Sequence, residues 1–279
     1  MSILSQMQQV EVLPDSLALW SIGQMGLGVK GPDATIYVDL CLSDYIEDQL
    51  GTYWKRAYPA PFPAEQVTNA DFYFISHEHW DHLDPETVPK VAQASPQARF
   101  VTNKWCQQIL IELGIAADRI ITLETLKPTL LPDSSLQVTS VPSAHYDLDY
   151  DERLGYRWIG FLIEWNGVAL YHAGDTIIYP DFIDTLKKFP SIDVAVLPVN
   201  GRDYYRETVG GAIGNLLPAE AAQLAEELGV DTLIVGHNDM YANNAIPYSE
   251  IIAAIEQFAP QQRYKILRVG ELLYYLKTA

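Results

Sequence analysis

Basic residues and cysteines are scarce in this sequence. Lys and Arg number 18 against 36 Asp and Glu in 279 residues, which gives a formal net charge of −18. Nucleic acids and anionic membranes are bound through basic patches, so this balance argues against either as a partner. The two cysteines, Cys41 and Cys106, lie far apart and outside any Cys-x-x-Cys pair, and we interpret them as buried thiols in a reducing cytoplasm.

Two further patterns are missing. The segment MSILSQMQQVEV lacks the basic residues and the long apolar run of a signal peptide, and no later apolar run is long enough to span a bilayer. No Gly-x-Ser-x-Gly motif occurs, so nothing indicates a serine nucleophile. We therefore expect a cytoplasmic protein, and we assign residues 1–279 to a single domain.

Short apolar runs indicate a protein rich in strands. They contain many Val, Ile, Tyr and Phe residues and are bounded by Gly, Asp, Asn or Pro, as strands usually are. The runs cover residues 35–40, 71–76, 98–102, 135–141, 158–165, 168–173, 193–199 and 231–236. Apolar residues spaced three and four apart predict helices over 217–229 and 247–259, and a third helix is expected over 103–114. Strands with helices outside them predict an α/β layered fold.

The segment around residues 45–66 differs from the rest of the chain. Its stretch EDQLGTYWKRAYPAPFPAEQV (47–67) holds three prolines, four aromatic residues and the adjacent pair Lys55 and Arg56, without a clear period. An ordinary surface loop is one interpretation. Because long loops in compact domains often carry function, we expect residues 45–66 to form a lid or a pocket wall.

Half of the six histidines fall in one stretch, SHEHWDHLD, directly after a predicted strand. His77, His79 and Asp81 alternate by two, so an extended chain projects them to one side, and His82 then takes a second direction. Titratable groups packed in this way at a strand end are hard to satisfy without a cation. Imidazole and carboxylate groups without a thiolate suit zinc, manganese or iron. The stretch therefore predicts a loop that supplies two adjacent metal ions.

Further ligands are expected at the ends of other predicted strands. VPSAH ends in His145, HAGDT contains Asp175 and IVGHND contains His237, each in a short polar or glycine-containing turn. Taken alone, His145 or His237 would be interpreted as a hydrogen-bonded structural residue. The cluster at 77–82 makes a shared metal site the better interpretation for all three.

These motifs together resemble the ligand set of the metallo-β-lactamase superfamily, in the same order along the chain. The resemblance implies a four-layered αβ/βα sandwich with the metals at one edge, between two sheets. The segments LWSIGQMGLGVKGPDATIYVDLCLSD (19–44), IDVAVLPVNG (192–201) and HNDMY (237–241) are similar to the L-ascorbate-6-phosphate lactonase branch of that superfamily. This chain is shorter than is typical of that branch, and its insertion at 45–66 is brief.

Position by position, the resemblance implies two ions and a ligand set for each. The ligands of the first ion are matched by His77, His79 and His145. The ligands of the second ion are matched by Asp81, His82 and His237. Asp175 matches the carboxylate that bridges both ions.

Two other residues are placed by the same resemblance. Asp39 matches a buried aspartate that orients a ligand histidine. His172 is left without a ligand position, and we expect it to pack behind the site rather than to face the substrate.

The chemistry that the resemblance implies is hydrolysis by a hydroxide held between two Mn²⁺ or Zn²⁺ ions. Asp81 and Asp175 would be the catalytic residues, with Asp81 orienting the hydroxide or moving its proton. The expected substrate is a sugar-acid lactone that can carry a phosphate. The alternative is a small-molecule or cyclic-nucleotide phosphodiesterase. A di-iron redox protein is more distant, because such proteins normally have glutamate in place of His79 and an attached flavin domain.

An anionic small-molecule substrate would need local cations in so acidic a chain. The candidates for binding a phosphate are Arg56 in the insertion and Arg202 and Arg206 in NGRDYYRE. Asn200, at the start of NGRDYYRE, is a further candidate for contacting the substrate. Each arginine alone is more often a solvated surface charge. The resemblance and the many aromatic residues also lead us to expect a homo-oligomer.

Overall fold

Two seven-stranded sheets form the centre of the molecule in a computed structural model, which describes residues 2–211 and 214–278. The strands of the first sheet are β1 (Ser16–Gly23), β2 (Gly26–Lys30), β3 (Thr35–Val38), β4 (Phe72–Phe74), β5 (Arg99–Thr102), β6 (Ile120–Thr122) and β16 (Leu272–Leu276). Their order across the sheet is β16-β1-β2-β3-β4-β5-β6. The strands from β3 to β6 run parallel, and the other pairs are antiparallel.

The second sheet is built from the following part of the chain. Its strands are β7 (Thr129–Leu130), β8 (Gln137–Pro142), β11 (Ile159–Trp165), β12 (Val168–His172), β13 (Val194–Pro198), β14 (Thr232–Gly236) and β15 (Arg263–Lys265). They lie in the order β15-β14-β13-β12-β11-β8-β7, with β12 to β15 parallel. The short strands β9 (Tyr150–Asp151) and β10 (Gly155–Tyr156) form a separate antiparallel pair.

The helices lie on the outer faces of the sheets, with one exception. They are α1 (Ile3–Gln9), α2 (Tyr45–Leu50), α3 (Thr87–Ala94), α4 (Lys104–Glu112), α5 (Phe182–Leu186), α6 (Pro218–Glu227) and α7 (Tyr248–Phe258). Residues of α1, α3 and α4 pack on the first sheet, and residues of α5, α6 and α7 pack on the second. The exception is α2, whose Ile46 packs against Met240 and Tyr241. The layers are therefore helix, sheet, sheet and helix, which confirms the four-layered fold expected from the sequence.

The alternation of side chains along the strands explains why two sheets face each other. In β1, Leu17 and Leu19 point into the core between the sheets, whereas Ala18 and Trp20 point to the helices on the other side. Both faces of a central strand are thus buried, as the continuous apolar runs require. Each such Leu stabilises the fold by roughly 1.5–3 kcal/mol relative to an exposed side chain.

All eight predicted strands and all three predicted helices occur, with ends that shift by one to two residues. The sequence did not predict the strands β1, β2, β6, β7, β9, β10, β15 and β16, nor the short helices α1, α2, α3 and α5. The insertion at 45–66 is more ordered than a loop, since it contains α2 and two short 3₁₀ turns, Thr52–Trp54 and Ala64–Gln66. Among residues 2–211 and 214–278, no helix combines the length and the apolar character needed to cross a membrane.

Candidate metal centre

The loop after β4 turns sharply at its first histidines. Ile75 still pairs with the neighbouring strand β5 through Val101, and His77 follows as a fully buried residue. The backbone N–H groups of His82 and Leu83 both donate to the carbonyl of His79, at 2.9 and 2.7 Å. This turn carries His82 back toward His77, so that their ring centroids lie 4.0 Å apart.

Three strands of the second sheet supply the remaining predicted ligands. His145 follows β8, Asp175 follows β12 and His237 follows β14. Gly174 allows the Asp175 turn to approach the first sheet, because it has a positive φ of 60° and a Cβ there would lie 2.9 Å from that of Ser76. The site is therefore assembled across the two sheets.

Four of the predicted ligands form a first group. Each member offers one ligand atom, and these atoms all lie within 4.8 Å of one another. The members are His77, His79, His145 and Asp175. His77 Nε2 and His79 Nδ1 are 3.0 Å apart, and His145 Nε2 lies 4.0 Å from Asp175 Oδ2.

The second group consists of Asp81, His82 and His237, with the same spread of ligand atoms. His237 Nε2 is 3.1 Å from Asp81 Oδ2 and 3.2 Å from Asp175 Oδ2. The other oxygen of Asp175, Oδ1, lies 3.2 Å from His82 Nε2. Asp175 thus stands between the two groups, in the place that the sequence resemblance gives to a bridging carboxylate.

Unpartnered buried atoms show that this cluster suits a cation. Within the described part of the chain, His82 Nε2, His145 Nε2 and Asp175 Oδ1 are buried and make no aligned hydrogen bond, although His82 Nε2 and Asp175 Oδ1 lie 3.2 Å apart. A buried polar atom left in this state costs about 1–3 kcal/mol. Imidazole nitrogens and carboxylate oxygens at this spacing would all be satisfied by divalent transition-metal ions.

The pKa values of the cluster reflect the same crowding. Burial opposes a charge on His237, but the carboxylates of Asp175 and Asp81 raise its pKa to about 9. Burial would also raise the pKa of Asp81, but His82 and His237 lower it below its usual range. For His145, burial dominates and lowers the pKa to about 4. The carboxylates that favour a proton on His237 would equally favour a metal cation.

Asp39 holds one of the predicted ligands in place. Its Oδ2 lies 2.8 Å from His82 Nδ1, and it also accepts a hydrogen bond from the Ser76 hydroxyl at 2.6 Å. The Ser76 backbone N–H donates to Asp39 Oδ1 at 2.8 Å. With Nδ1 of His82 bound to Asp39, Nε2 is directed at Asp175, as expected for a carboxylate that orients a metal ligand.

Gln24 was not predicted, although it contacts the second group. It lies in the turn between β1 and β2, and its side-chain Nε2 donates to Asp81 Oδ2 at 2.7 Å and lies 3.1 Å from His237 Nε2. Gln24 and His237 both have positive φ, 57° and 59°, and the His237 backbone N–H donates to the Gln24 carbonyl. Such left-handed conformations of non-glycine residues concentrate at functional sites.

His172 lies behind the cluster, as expected, rather than in it. Its Nε2 is 2.9 Å from the carbonyl of Met25, and its Nδ1 accepts a hydrogen bond from the Gly174 backbone at 3.2 Å. Both ring nitrogens are therefore used by the backbone. The imidazole connects the turn that carries Gln24 to the turn that carries Asp175.

A cavity of about 340 Å³ opens onto this cluster, and His79, Asp81, Asp175 and His237 border it. One wall is apolar and is formed by Ile46, Leu50, Trp54, Trp80 and Tyr241. The remaining lining residues are Glu78, Arg157, Gly211 and Asn244. Arg157 was not predicted, and it pairs with Glu78 at 2.5 Å and with Asp149 at 3.3 Å.

The predicted substrate-binding arginines have other partners. Arg56 is buried, and its Nη1 donates to the carbonyls of Cys41 and Ser43 at 2.8 and 3.0 Å. Arg202 binds both carboxylate oxygens of Glu220 at 2.7 Å. Both arginines therefore have protein partners and neither borders the cavity, and their contact with a phosphate stays a prediction.

Arg206 and Asn200 belong to a polar network whose asparagines are buried. The Arg206 guanidinium pairs with Asp203 and donates to the Asn200 carbonyl at 2.6 Å. The Asn200 side chain donates to Asn244 and accepts from Asn215, each at 3.0 Å. Of the described residues in this network, only Asn244 borders the cavity, so Arg206 and Asn200 support the site from behind instead of contacting a ligand.

Comparison with known proteins identifies the fold and its relatives. The family model described as "Beta-lactamase superfamily domain" matches residues 35–238. An N-acyl-phosphatidylethanolamine-hydrolyzing phospholipase D of Caenorhabditis elegans is 25% identical over 52% of this chain, and the match spans only 43% of that enzyme's length. A probable L-ascorbate-6-phosphate lactonase of Escherichia coli is 21% identical over 93% of this chain and 80% of its own length.

Solved structures share the same architecture. A metallo hydrolase from the archaeon Ignicoccus hospitalis superposes with a TM-score of 0.67 and 19% identity, covering 94% of this chain and all of that one. At this identity the similarity demonstrates a common fold.

Proposed function

Since the chain belongs to the beta-lactamase superfamily, we propose that it is a metal-dependent hydrolase that opens a lactone at the cluster between the two sheets. The observation that carries this proposal is a set of buried His82, His145 and Asp175 atoms that lack a hydrogen-bond partner, next to a cavity that Asp175 borders. The E. coli relative, named a probable lactonase, supports the substrate class, because its similarity extends over 93% of this chain.

The two groups of side chains would hold two divalent ions, for which Mn²⁺ and Zn²⁺ are the candidates. His77, His79 and His145 form one position, and Asp81, His82 and His237 form the other. Asp175 joins them. Ions bound there would lower the pKa of a water molecule and polarise the ester carbonyl of the substrate.

Asp81 is the residue best placed to handle a proton. It borders the cavity, belongs to the second group and is held by the Gln24 amide at 2.7 Å. A carboxylate in this position accepts the proton of the attacking water and returns it to the alkoxide that leaves when the ring opens. Asp39 keeps His82 in the orientation that the second position requires.

Phosphodiester hydrolysis is the second candidate. The worm relative is named as a phospholipase D, an enzyme that cleaves a phosphodiester, and the apolar cavity wall suits a substrate with an apolar group.

The location in the cytoplasm and the homo-oligomeric state expected from the sequence stay predictions. Light scattering at micromolar concentration would test the oligomeric state.

Metal analysis combined with a substrate screen tests the proposal. Protein purified without chelator should contain up to two transition-metal ions per chain and should hydrolyse lactones faster than phosphodiesters. Removing the ions should abolish turnover, and adding Mn²⁺ or Zn²⁺ should restore it. Lactone hydrolysis that continues after complete metal removal would contradict the proposal, and a preference for phosphodiesters would favour the second candidate.

A further inference from the structure

The wall of the cavity is apolar and partly open to solvent. Leu50 and Trp80 are 53% and 37% exposed, so part of each side chain is not packed in the core and can contact a ligand. Trp54 packs edge-on against Tyr241 with ring centroids 5.6 Å apart, and Trp80 packs in the same way against Tyr45 at 5.1 Å. Aromatic side chains in such pairs form rigid surfaces that bind apolar groups at low cost in conformational entropy.

The charges around the cavity argue against an anionic substrate group. Outside the cluster of candidate metal ligands, Arg157 is the one cation among the described lining residues, and Glu78 and Asp149 already neutralise it. Arg56 donates to backbone carbonyls through Nη1, Arg202 pairs with Glu220, and neither residue borders the cavity. A phosphate tail would therefore have to displace an existing ion pair, in a chain whose net charge is −18.

The apolar wall is fixed relative to the cluster. The segment that carries Leu50 and Trp54 is attached to the loop after His237, because the Ala57 backbone N–H donates to the Met240 carbonyl at 2.7 Å. Arg56 and Tyr241 form a β-bridge at the same place. A wall held in this way is preformed, so binding does not require ordering a loop.

We propose that the substrate is an uncharged lactone with an alkyl or aryl substituent, and that the wall formed by Ile46, Leu50, Trp54, Trp80 and Tyr241 binds that substituent. This inference rests on the proposed function, and it specifies the substrate class that the site takes. The cavity volume of about 340 Å³ lies near the lower end of ligand pockets, which suits a small ring with one chain of moderate length.

Binding of a graded series tests the inference without relying on turnover. The probes are 5-alkyl-2-pyrrolidinones, lactams with the same ring and chain as γ-lactones but resistant to hydrolysis, titrated calorimetrically into the metal-loaded protein. Each added methylene should lower Kd about two- to fourfold until the cavity is full. A pyrrolidinone with a phosphorylated side chain of equal length should bind more weakly than the alkyl compound.

Two leucines of equal exposure provide a matched pair of variants. Leu50→Ala should weaken binding of the longest alkyl lactam about three- to tenfold and leave the unsubstituted ring unchanged. Leu276→Ala, at a residue that is 51% exposed in β16 and does not border the cavity, should change neither. A Kd that is independent of chain length, or equal effects of the two variants, would overturn the inference.

The outcomes separate this inference from the proposed function. If the Kd improves with chain length but no lactone is hydrolysed, the wall binds apolar groups and the proposed reaction is wrong. If lactones are hydrolysed but the Kd does not respond to chain length, or the phosphorylated probe binds best, the proposed reaction stands and the substrate class is wrong.

Discussion

The amide of Gln24 donates a hydrogen bond of 2.7 Å to the Oδ2 atom of Asp81, although the two residues are 57 positions apart. The turn that carries Gln24 is fixed from behind, because its backbone N–H donates to Asp239 Oδ1 at 3.2 Å. The Tyr58 hydroxyl donates to the same oxygen at 2.8 Å. A rigid donor therefore sets the position of a carboxylate that the proposed second ion would need.

Gln24→Ala should reduce the affinity for the second ion by about 10- to 100-fold, the range found when a hydrogen-bond partner of a metal ligand is removed. Competition with a chromogenic chelator gives the affinity directly. Gln137→Ala is the control, since Gln137 also donates to a carboxylate, that of Glu164 at 2.8 Å, away from the site. Equal metal affinities in the two variants would show that Gln24 does not position Asp81.

Asp175→Asn should lose metal content and more than about 100-fold of activity, because the change removes the charge that offsets repulsion between two cations. Elemental analysis and initial rates measure the two effects. Asp193→Asn removes another buried carboxylate, one that accepts from Ala169 and Lys277, and should leave the metal content intact. Full occupancy and activity in Asp175→Asn would refute the bridging role.

Asp39→Asn should lower activity and metal affinity about 10- to 100-fold while the fold is retained. Asparagine tolerates the positive φ of 46° at this position, so the change tests the charge on the partner of His82 rather than the backbone. Asp133→Asn is a matched control, because Asp133 also has a positive φ, 59°, but is exposed and distant. Unchanged metal affinity in Asp39→Asn would mean that a neutral acceptor orients His82 equally well.

His172→Ala should retain its ions but lose about 2–4 kcal/mol of unfolding free energy. The reason is that a buried ring is deleted and that the Met25 carbonyl and the Gly174 amide lose their partner. Urea denaturation measures the loss, and elemental analysis measures the ions. If His172→Ala lost metal as completely as Asp175→Asn, the set of seven ligands would be incomplete.

Arg56→Ala should destabilise the protein by about 1–3 kcal/mol, because the carbonyls of Cys41 and Ser43 lose a charged donor. Since Arg56 does not contact the cavity in the described structure, KM should change by the same factor for charged and uncharged lactones. Denaturation curves and paired kinetics measure both quantities. A selective rise in KM for a phosphorylated lactone would restore the substrate-binding role predicted from the sequence.

The sequence predicted the parts of the site that are encoded locally. One loop contains His77, His79, Asp81 and His82, and their close spacing in the sequence favours a shared metal site over separate structural roles. The strands were predictable for a similar reason, since continuous Val and Ile runs indicate burial on both faces. The strand β16 was not predicted although LLYYL (272–276) is also a continuous apolar run. Its pairing of Leu276 with Ser16 could not be predicted locally, because it joins opposite ends of the sequence.

The sequence could not show which polar side chains are already occupied. Lys55 and Arg56 are adjacent cations, yet Lys55 is exposed and Arg56 is buried against carbonyls, a difference created by the β-bridge to Tyr241. Gln24 is a single amide in a turn, and only its left-handed backbone and its long-range partner distinguish it. The cluster of candidate metal ligands was therefore more predictable than the lining of the cavity.

Each proposed ion takes side chains from both sheets, since His145 completes the position of His77 and His79, and His237 completes that of Asp81 and His82. The free energy of ion binding would therefore also oppose separation of the sheets. At a free ion concentration 1,000 times Kd, one site adds about 4 kcal/mol to stability. A cell short of the metal would hold this chain in a form that opens more often and is degraded sooner by proteases, so the amount of protein would follow the metal supply.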